Sequence, residues 1–200
     1  MSAPVSTRKP RGQGAARRGE ILAAAKRLFV EEGYEQATMR RIAAEIGVSA
    51  AALYGHFPDK EAILGAIAAV AFGELLARIE ESQRGETPLL DRFKAGLRAY
   101  IAFGLARPEE YRLTFLSRMT HPETTVEDAD RSFAILECSI VALMQAGVFA
   151  PDDTLAAAEA AWACLHGATT LLLDKPQHLQ TAPDRLVDAV VGLIVHGLAV

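Results

Sequence analysis

The chain has 200 residues, half of them apolar and only 6% aromatic, which is enough to bury one or two sizeable cores. Alanine and leucine dominate and β-branched residues are scattered rather than alternating, so an all-α fold is expected. No apolar run reads as a membrane span, and no apolar signal region follows the basic N-terminus, so a cytosolic location without membrane contact is expected.

Charge and cysteines narrow the classes further. The net charge of −4 divides unevenly: residues 1–60 carry ten Lys/Arg against six Asp/Glu, a balance of +4, and the rest carries −8. A basic end can neutralise phosphates while an acidic body stays soluble. Cys138 and Cys164 lack any metal or Cys-x-x-Cys spacing, which predicts buried structural thiols and no disulfide framework, metal site or cofactor.

Residues 1–14, with Arg8, Lys9 and Arg11 among Pro, Gly and Ser, are expected to form a disordered basic arm, able to reach a minor groove or simply to solubilise. A helix over 15–32 aligns Ile21, Ala25, Leu28 and Phe29 and is stopped by Gly33. Thr38 to Phe57, TMRRIAAEIGVSAAALYGHF, then reads as two short helices around a glycine turn. Thr38 caps the first, which places Met39, Ile42, Ala43 and Ile46 on one face; Gly47 supplies the left-handed turn, and Ser49 caps the second. This is the layout of a helix-turn-helix whose second helix enters the DNA major groove, although a bare αα-hairpin looks similar.

A long helix over 60–82 is capped by Asp59 and keeps Leu64, Ile67, Ala71, Phe72, Leu75 and Ile79 in register. It is expected to join a DNA-binding domain at 15–59 to a second helical domain at 60–200. Further helices are predicted at 88–107, 108–119, 125–146, 153–173 and 184–198, about nine in all. Prolines open the helices at 88–107 and 108–119, and His121-Pro122 ends the latter.

The ordered set Phe29, Gly33, Tyr34, Thr38, Ile42-Ala43, Gly47-Val48, Leu53-Tyr54, His56-Phe57 and Lys60 resembles the N-terminal domain of the TetR family of transcriptional regulators. Trp162, His166 and Gly167, in WACLHG, resemble the "WHG" class of C-terminal regions in that family. The resemblance implies an all-α fold, with a three-helix helix-turn-helix domain followed by a helical ligand-binding and dimerisation domain. It also implies a repressor that binds double-stranded DNA. By the same resemblance Thr38, Tyr54 and Lys60 hold phosphates, with half-buried packing the other reading of Tyr54; Arg40 reaches a base or a phosphate or merely faces solvent, and Ser49, Ala50, Ala51, Tyr54 and His56 belong to the recognition helix. The alanines can only admit the backbone to the groove or touch thymine methyls, so Ser49, Tyr54 and His56 carry the polar chemistry.

One such domain makes too few contacts for operator-grade affinity, so a homodimer on a palindrome is expected. The helices at 153–173, through Ala157, Ala158, Ala161, Leu165 and Ala168, and at 184–198, through Leu186, Val190, Leu193, Ile194 and Gly197, offer stripes for it; an ordinary intrachain core is the other reading of both. The family also implies a small-molecule effector, apolar or aromatic, with Phe72, Tyr100, Phe103, Tyr111, Phe115, Met119, Phe133 and Trp162 as candidate lining and His166 as polar anchor; ordinary core, with His166 a hydrogen-bonded core histidine, is the other reading of each. An enzyme is disfavoured because Cys164 and His166 sit two apart on one helix, without a third partner or a phosphate loop. A DNA-binding protein without a ligand is the remaining alternative.

Overall fold

The computed structural model describes residues 13–85, 87–116, 127–150 and 152–200. The predicted arm at 1–14 therefore lies outside the described residues, save for Gln13 and Gly14, which begin the first helix. The His121-Pro122 helix end and Met119 also lie outside them. The chain divides into two compact units, one ending at Ile67 and one running from Ala68 to Val200.

The first unit holds α1 (Gln13–Glu31), α2 (Met39–Glu45), α3 (Ala50–Tyr54) and the opening turns of α4 (Lys60–Ser82). Its core is built by the predicted stripes: Ile21, Ala25, Leu28 and Phe29 from α1, Met39, Ile42 and Ala43 from α2, and Leu53, Phe57, Ile63 and Leu64. The two short helices gain little from propensity alone, so their ends are fixed by side chains. The Thr38 hydroxyl accepts from the Arg41 amide at 3.1 Å and the Ser49 hydroxyl from the Ala52 amide at 3.2 Å. Between them Gly47 adopts φ +66°, a left-handed turn that a Cβ would strain, and the Val48 amide closes onto the Ala43 carbonyl at 2.9 Å.

The second unit contains the rest of α4, then α5 (Leu89–Ala106), α6 (Pro108–Tyr111), α7 (Glu127–Gln145), α8 (Thr154–Asp174) and α9 (Pro183–Leu198). A π-helical turn, Arg112–Leu116, continues α6, and a 3₁₀ turn, Pro176–His178, follows α8. Nine α-helices and no strand occur among the described residues; a single antiparallel bridge ties Phe149 to Ala199. α8 is central, packing on α5, α7 and α9.

Two expectations need correction. α4 is long and apolar enough, by length and composition, to cross a membrane, contrary to the reading that no run approaches a span. Many of its apolar positions are core: Ile63, Leu64 and Ile67 are buried in the first unit and Ala71, Leu75 and Ile79 in the second, while Val70 is exposed and Glu74 and Arg78 pair at 2.8 Å on its flank. Cys138 and Cys164, expected to be buried, are both exposed and unpaired, because each occupies an outward position of its helix.

Candidate functional site

In the first unit, Thr38, Arg40, Ser49, Ala51, Ala52, Tyr54 and His56 are all exposed, and Ala50 and Lys60 are half-buried. Tyr54 leaves 52% of its surface open, so it is no core residue. The capping bonds use lone pairs of Thr38 and Ser49, which leaves each hydroxyl proton free to donate outward. α3 thus presents methyl groups flanked by hydroxyl, phenol and imidazole groups.

Most cations near this surface already have partners. Arg17 pairs with Glu20 at 2.6 Å, Arg27 with Glu45 at 2.5 Å, and Arg41 with Glu45 at 2.6 Å and Glu32 at 3.0 Å. The Arg41 and Arg27 hydrogen bonds hold the Glu45 carboxyl below the usual carboxylate range. Arg18 lies over the Phe57 ring at 4.1 Å. Lys60, read as a phosphate contact, donates to the Tyr34 carbonyl at 2.7 Å and sits 4.0 Å above the Tyr34 ring, so part of its capacity is committed to the fold. Among the described Lys and Arg of this unit, Arg40 alone has no such partner, and it is exposed.

In the second unit, seven of the predicted ligand residues come together. Phe115 stacks near Tyr111 (ring centroids 4.7 Å apart), Phe72 (4.9 Å), His166 (5.9 Å) and Tyr100 (6.0 Å), and Trp162 lies 5.9 Å from His166 and 6.3 Å from Phe133. Phe103 does not join them: it is wholly buried in the core. The π turn that carries Phe115 is anchored to the end of α8 by Arg112, whose Nε donates to Asp174 at 2.9 Å. Such turns re-aim side chains and recur at functional sites.

The polar groups of the cluster form a directed chain. Indole can only donate, so Trp162 Nε1–H gives its proton to Tyr100 Oη at 3.2 Å. Tyr100 Oη lies 3.3 Å from Tyr111 Oη, and Tyr111 Oη lies 2.7 Å from His166 Nδ1. Burial holds both phenols above their ordinary pKa and the imidazole below its own. The consistent assignment has Tyr100 donating to Tyr111, Tyr111 donating to a neutral His166 at Nδ1, and the His166 Nε2–H left as the free donor at the chain's end. Sequence reasoning missed Thr114, whose buried hydroxyl has no partner among the described residues, and Thr170, whose hydroxyl lies against Tyr111, because a threonine in an apolar helix carries no periodic signal.

A pH dependence follows. The native state disfavours protonated His166, whereas the unfolded chain takes up that proton near its ordinary value of about 6.5. Stability is therefore full above that value and is lost as pH falls below it. The thermal midpoint is expected to drop between about pH 7.5 and about pH 5.5, and His166→Gln should flatten part of that slope. An unchanged slope in the variant would remove His166 from this role.

The structure corrects the predicted dimer stripe on α8. Ala157, Ala158, Ala161, Leu165 and Ala168 are buried within their own chain, against the core of the second unit. The outward face is the opposite one, where Ala156, Ala160, Ala163, Gly167 and Leu171 are exposed at helical spacing. On α9, Leu193 is 67% exposed, Gly197 is exposed and Leu186 and Val190 are half-buried; only Ile194 of the predicted stripe is core.

Comparison with known proteins places both units. A family model described as bacterial regulatory proteins, tetR family, matches residues 21–67, and one described as tetracyclin repressor-like, C-terminal domain, matches residues 93–194. The chain is 50% identical over 54 residues to the HTH-type transcriptional repressor Rv1474c of Mycobacterium tuberculosis, covering 27% of this chain and 29% of that protein. It is 32% identical over 112 residues to the HTH-type transcriptional activator FasR of Mycolicibacterium smegmatis, covering 56% and 51%. The matches thus span about half or less of the length of these curated relatives. A solved bacterial regulatory protein of the tetR family from Rhodococcus RHA1 matches with TM-score 0.75 and 28% identity over 94% of this chain and 98% of that one.

Proposed function

The chain belongs to the tetR family of bacterial regulatory proteins, and from that premise we propose that it is a dimeric DNA-binding transcriptional repressor, released from a palindromic operator in the cytoplasm by a small apolar or aromatic effector. The observation that carries the DNA reading is the unpartnered, exposed Arg40 beside the capped, methyl-rich face of α3. A guanidinium left free where the other described cations are engaged is suited to a guanine edge or a phosphate.

The residues proposed for DNA are Thr38, Arg40, Ser49, Ala50, Ala51, Tyr54, His56 and Lys60. The dimer would form through the outward faces of α8 and α9, small residues on one and Leu193 on the other, as two helices from each subunit. The effector would engage the aromatic cluster, with His166 Nε2–H as the donor for its polar group. Binding must favour one conformation over another to shift the operator equilibrium.

Selection from randomised oligonucleotides at a stated salt concentration tests the reading, with recovery of a palindrome expected. Arg40→Ala should relax preference at one base pair per half-site, by about 1–3 kcal/mol of discrimination. Equal losses on every operator variant would leave Arg40 a phosphate contact. Lys60→Ala should weaken all sequences alike, lower the salt slope by about one, and also cost stability through Tyr34. Salt-sensitive binding without a motif would overturn the operator reading in favour of a non-specific DNA binder.

A further inference from the structure

We infer that the second unit carries a separate site for a small organic monoanion, in the cavity between the end of α4, α5 and α7. The cavity measures about 280 Å³ and shares no lining residue with the aromatic–imidazole cluster. Phe93 and Ile135 give it apolar walls, and Arg92 and Gln83 bring donors to it.

Arg92 is the feature that selects an anion. Its Nε is buried without a hydrogen-bond partner, and its guanidinium has no ion pair among the described residues. Among the described residues, acids on neighbouring stretches are engaged elsewhere: Glu80 with Arg131 at 2.9 Å, Glu81 with Arg84 at 2.5 Å, and Asp91 with Lys94 at 3.9 Å. A buried donor on a permanently charged group is costly to leave unpaired, and a carboxylate answers it with two acceptors in matching geometry.

The other residues set size and character. Gln83 can lie across α5 only because residue 96 is glycine: a Cβ there would stand 2.6 Å from the Gln83 Nε2. The Ser139 hydroxyl already donates to the Ile135 carbonyl at 2.7 Å, so Arg92 and the Gln83 amide are the available donors. One cation matches one negative charge. The volume sits just under the ~300–1,000 Å³ of pockets for drug-sized ligands, so the ligand is small, with an apolar body against Phe93 and Ile135.

Cys138 lines the same cavity and is exposed, which supplies a readout that needs no DNA. In the Cys164→Ser background Cys138 is the only thiol. Its alkylation by iodoacetamide is followed with benzoate or hexanoate present, against benzamide or hexanamide, with ionic strength held by chloride. At least one carboxylate is expected to slow alkylation several-fold while its amide does not, and Arg92→Gln should abolish the protection whereas Arg92→Lys keeps part of it. Gly96→Ala, by pushing Gln83 aside, should weaken it. The inference fails if neither carboxylate protects, if the amides protect equally, or if protection survives Arg92→Gln. The carboxylate–amide contrast in the Cys164→Ser protein decides the matter by itself should Arg92→Gln fold poorly, and loss of operator binding elsewhere leaves this result untouched.

Discussion

Leu193→Glu is expected to yield a folded monomer whose operator affinity falls by about 100-fold or more, towards the level of non-specific binding. Leu193 is 67% exposed within its own chain, so the substitution removes little intrachain packing. In the proposed dimer two-fold symmetry places the change twice in one interface. Each leucine forfeits about 1.5–3 kcal/mol of burial, and each new carboxylate must be desolvated to enter the contact. Light scattering reports the mass, circular dichroism the helix content, and titration with a full palindrome and a half-site the affinity. A dimer that persists in the variant would exclude α9 from the interface. Ala157→Glu is the contrasting case: that residue is buried in the chain, so unfolding rather than clean dissociation is expected.

The helix-turn-helix was legible because its signals are local. Thr38, Gly47 and Ser49 each act on backbone within three residues, and all three do in the structure what their chemistry dictates. α8 was misread for the opposite reason: it is alanine-rich on every side, so helical period alone could not tell the stripe of Ala157 and Ala161 from that of Ala156, Ala160 and Ala163. Cys138 and Cys164 were placed inside on the strength of residue type, which ranks below helical register at any single position. Lys60 was read through resemblance as a surface cation, and its hold on Tyr34, 26 positions earlier, has no sequence signature. The aromatic cluster was half-legible: composition gathered its members, but the order from Trp162 through Tyr100 and Tyr111 to His166 depends on a π turn and on α5 meeting α8. The Arg92 cavity, assembled from residues 83–93 and the distant 135–142, left no trace in the sequence.

That meeting of α5 and α8 rests on Gly104, and Gly104→Ala is expected to cost up to about 2 kcal/mol despite alanine's better helix propensity. A Cβ at residue 104 would stand 2.3 Å from the Thr169 Cγ2 and 3.1 Å from the Tyr111 Cδ2. Thr169 is wholly buried, and its hydroxyl is held by a 2.8 Å bond to the Leu165 carbonyl, so its methyl cannot swing away without breaking that bond. Overpacking of about 1–3 kcal/mol therefore outweighs the roughly 1 kcal/mol gained by removing glycine from a helix. The nearest adjustment, a shift of Tyr111, would lengthen its 2.7 Å contact with His166, so the variant should also lose part of the wild type's pH slope. Thermal unfolding of Gly104→Ala, Thr169→Ser and the double variant forms a cycle, and because Thr169→Ser removes the clashing methyl, a favourable coupling of about 0.5–3 kcal/mol is expected. Gly167→Ala is the control: a Cβ there meets nothing within 4 Å of its own chain, so stability within the chain should hold or rise. A loss at residue 167 that appears only at dimer-forming concentrations would locate a partner helix against that face. Additive effects of Gly104→Ala and Thr169→Ser would mean that α5 and α8 do not touch at this point.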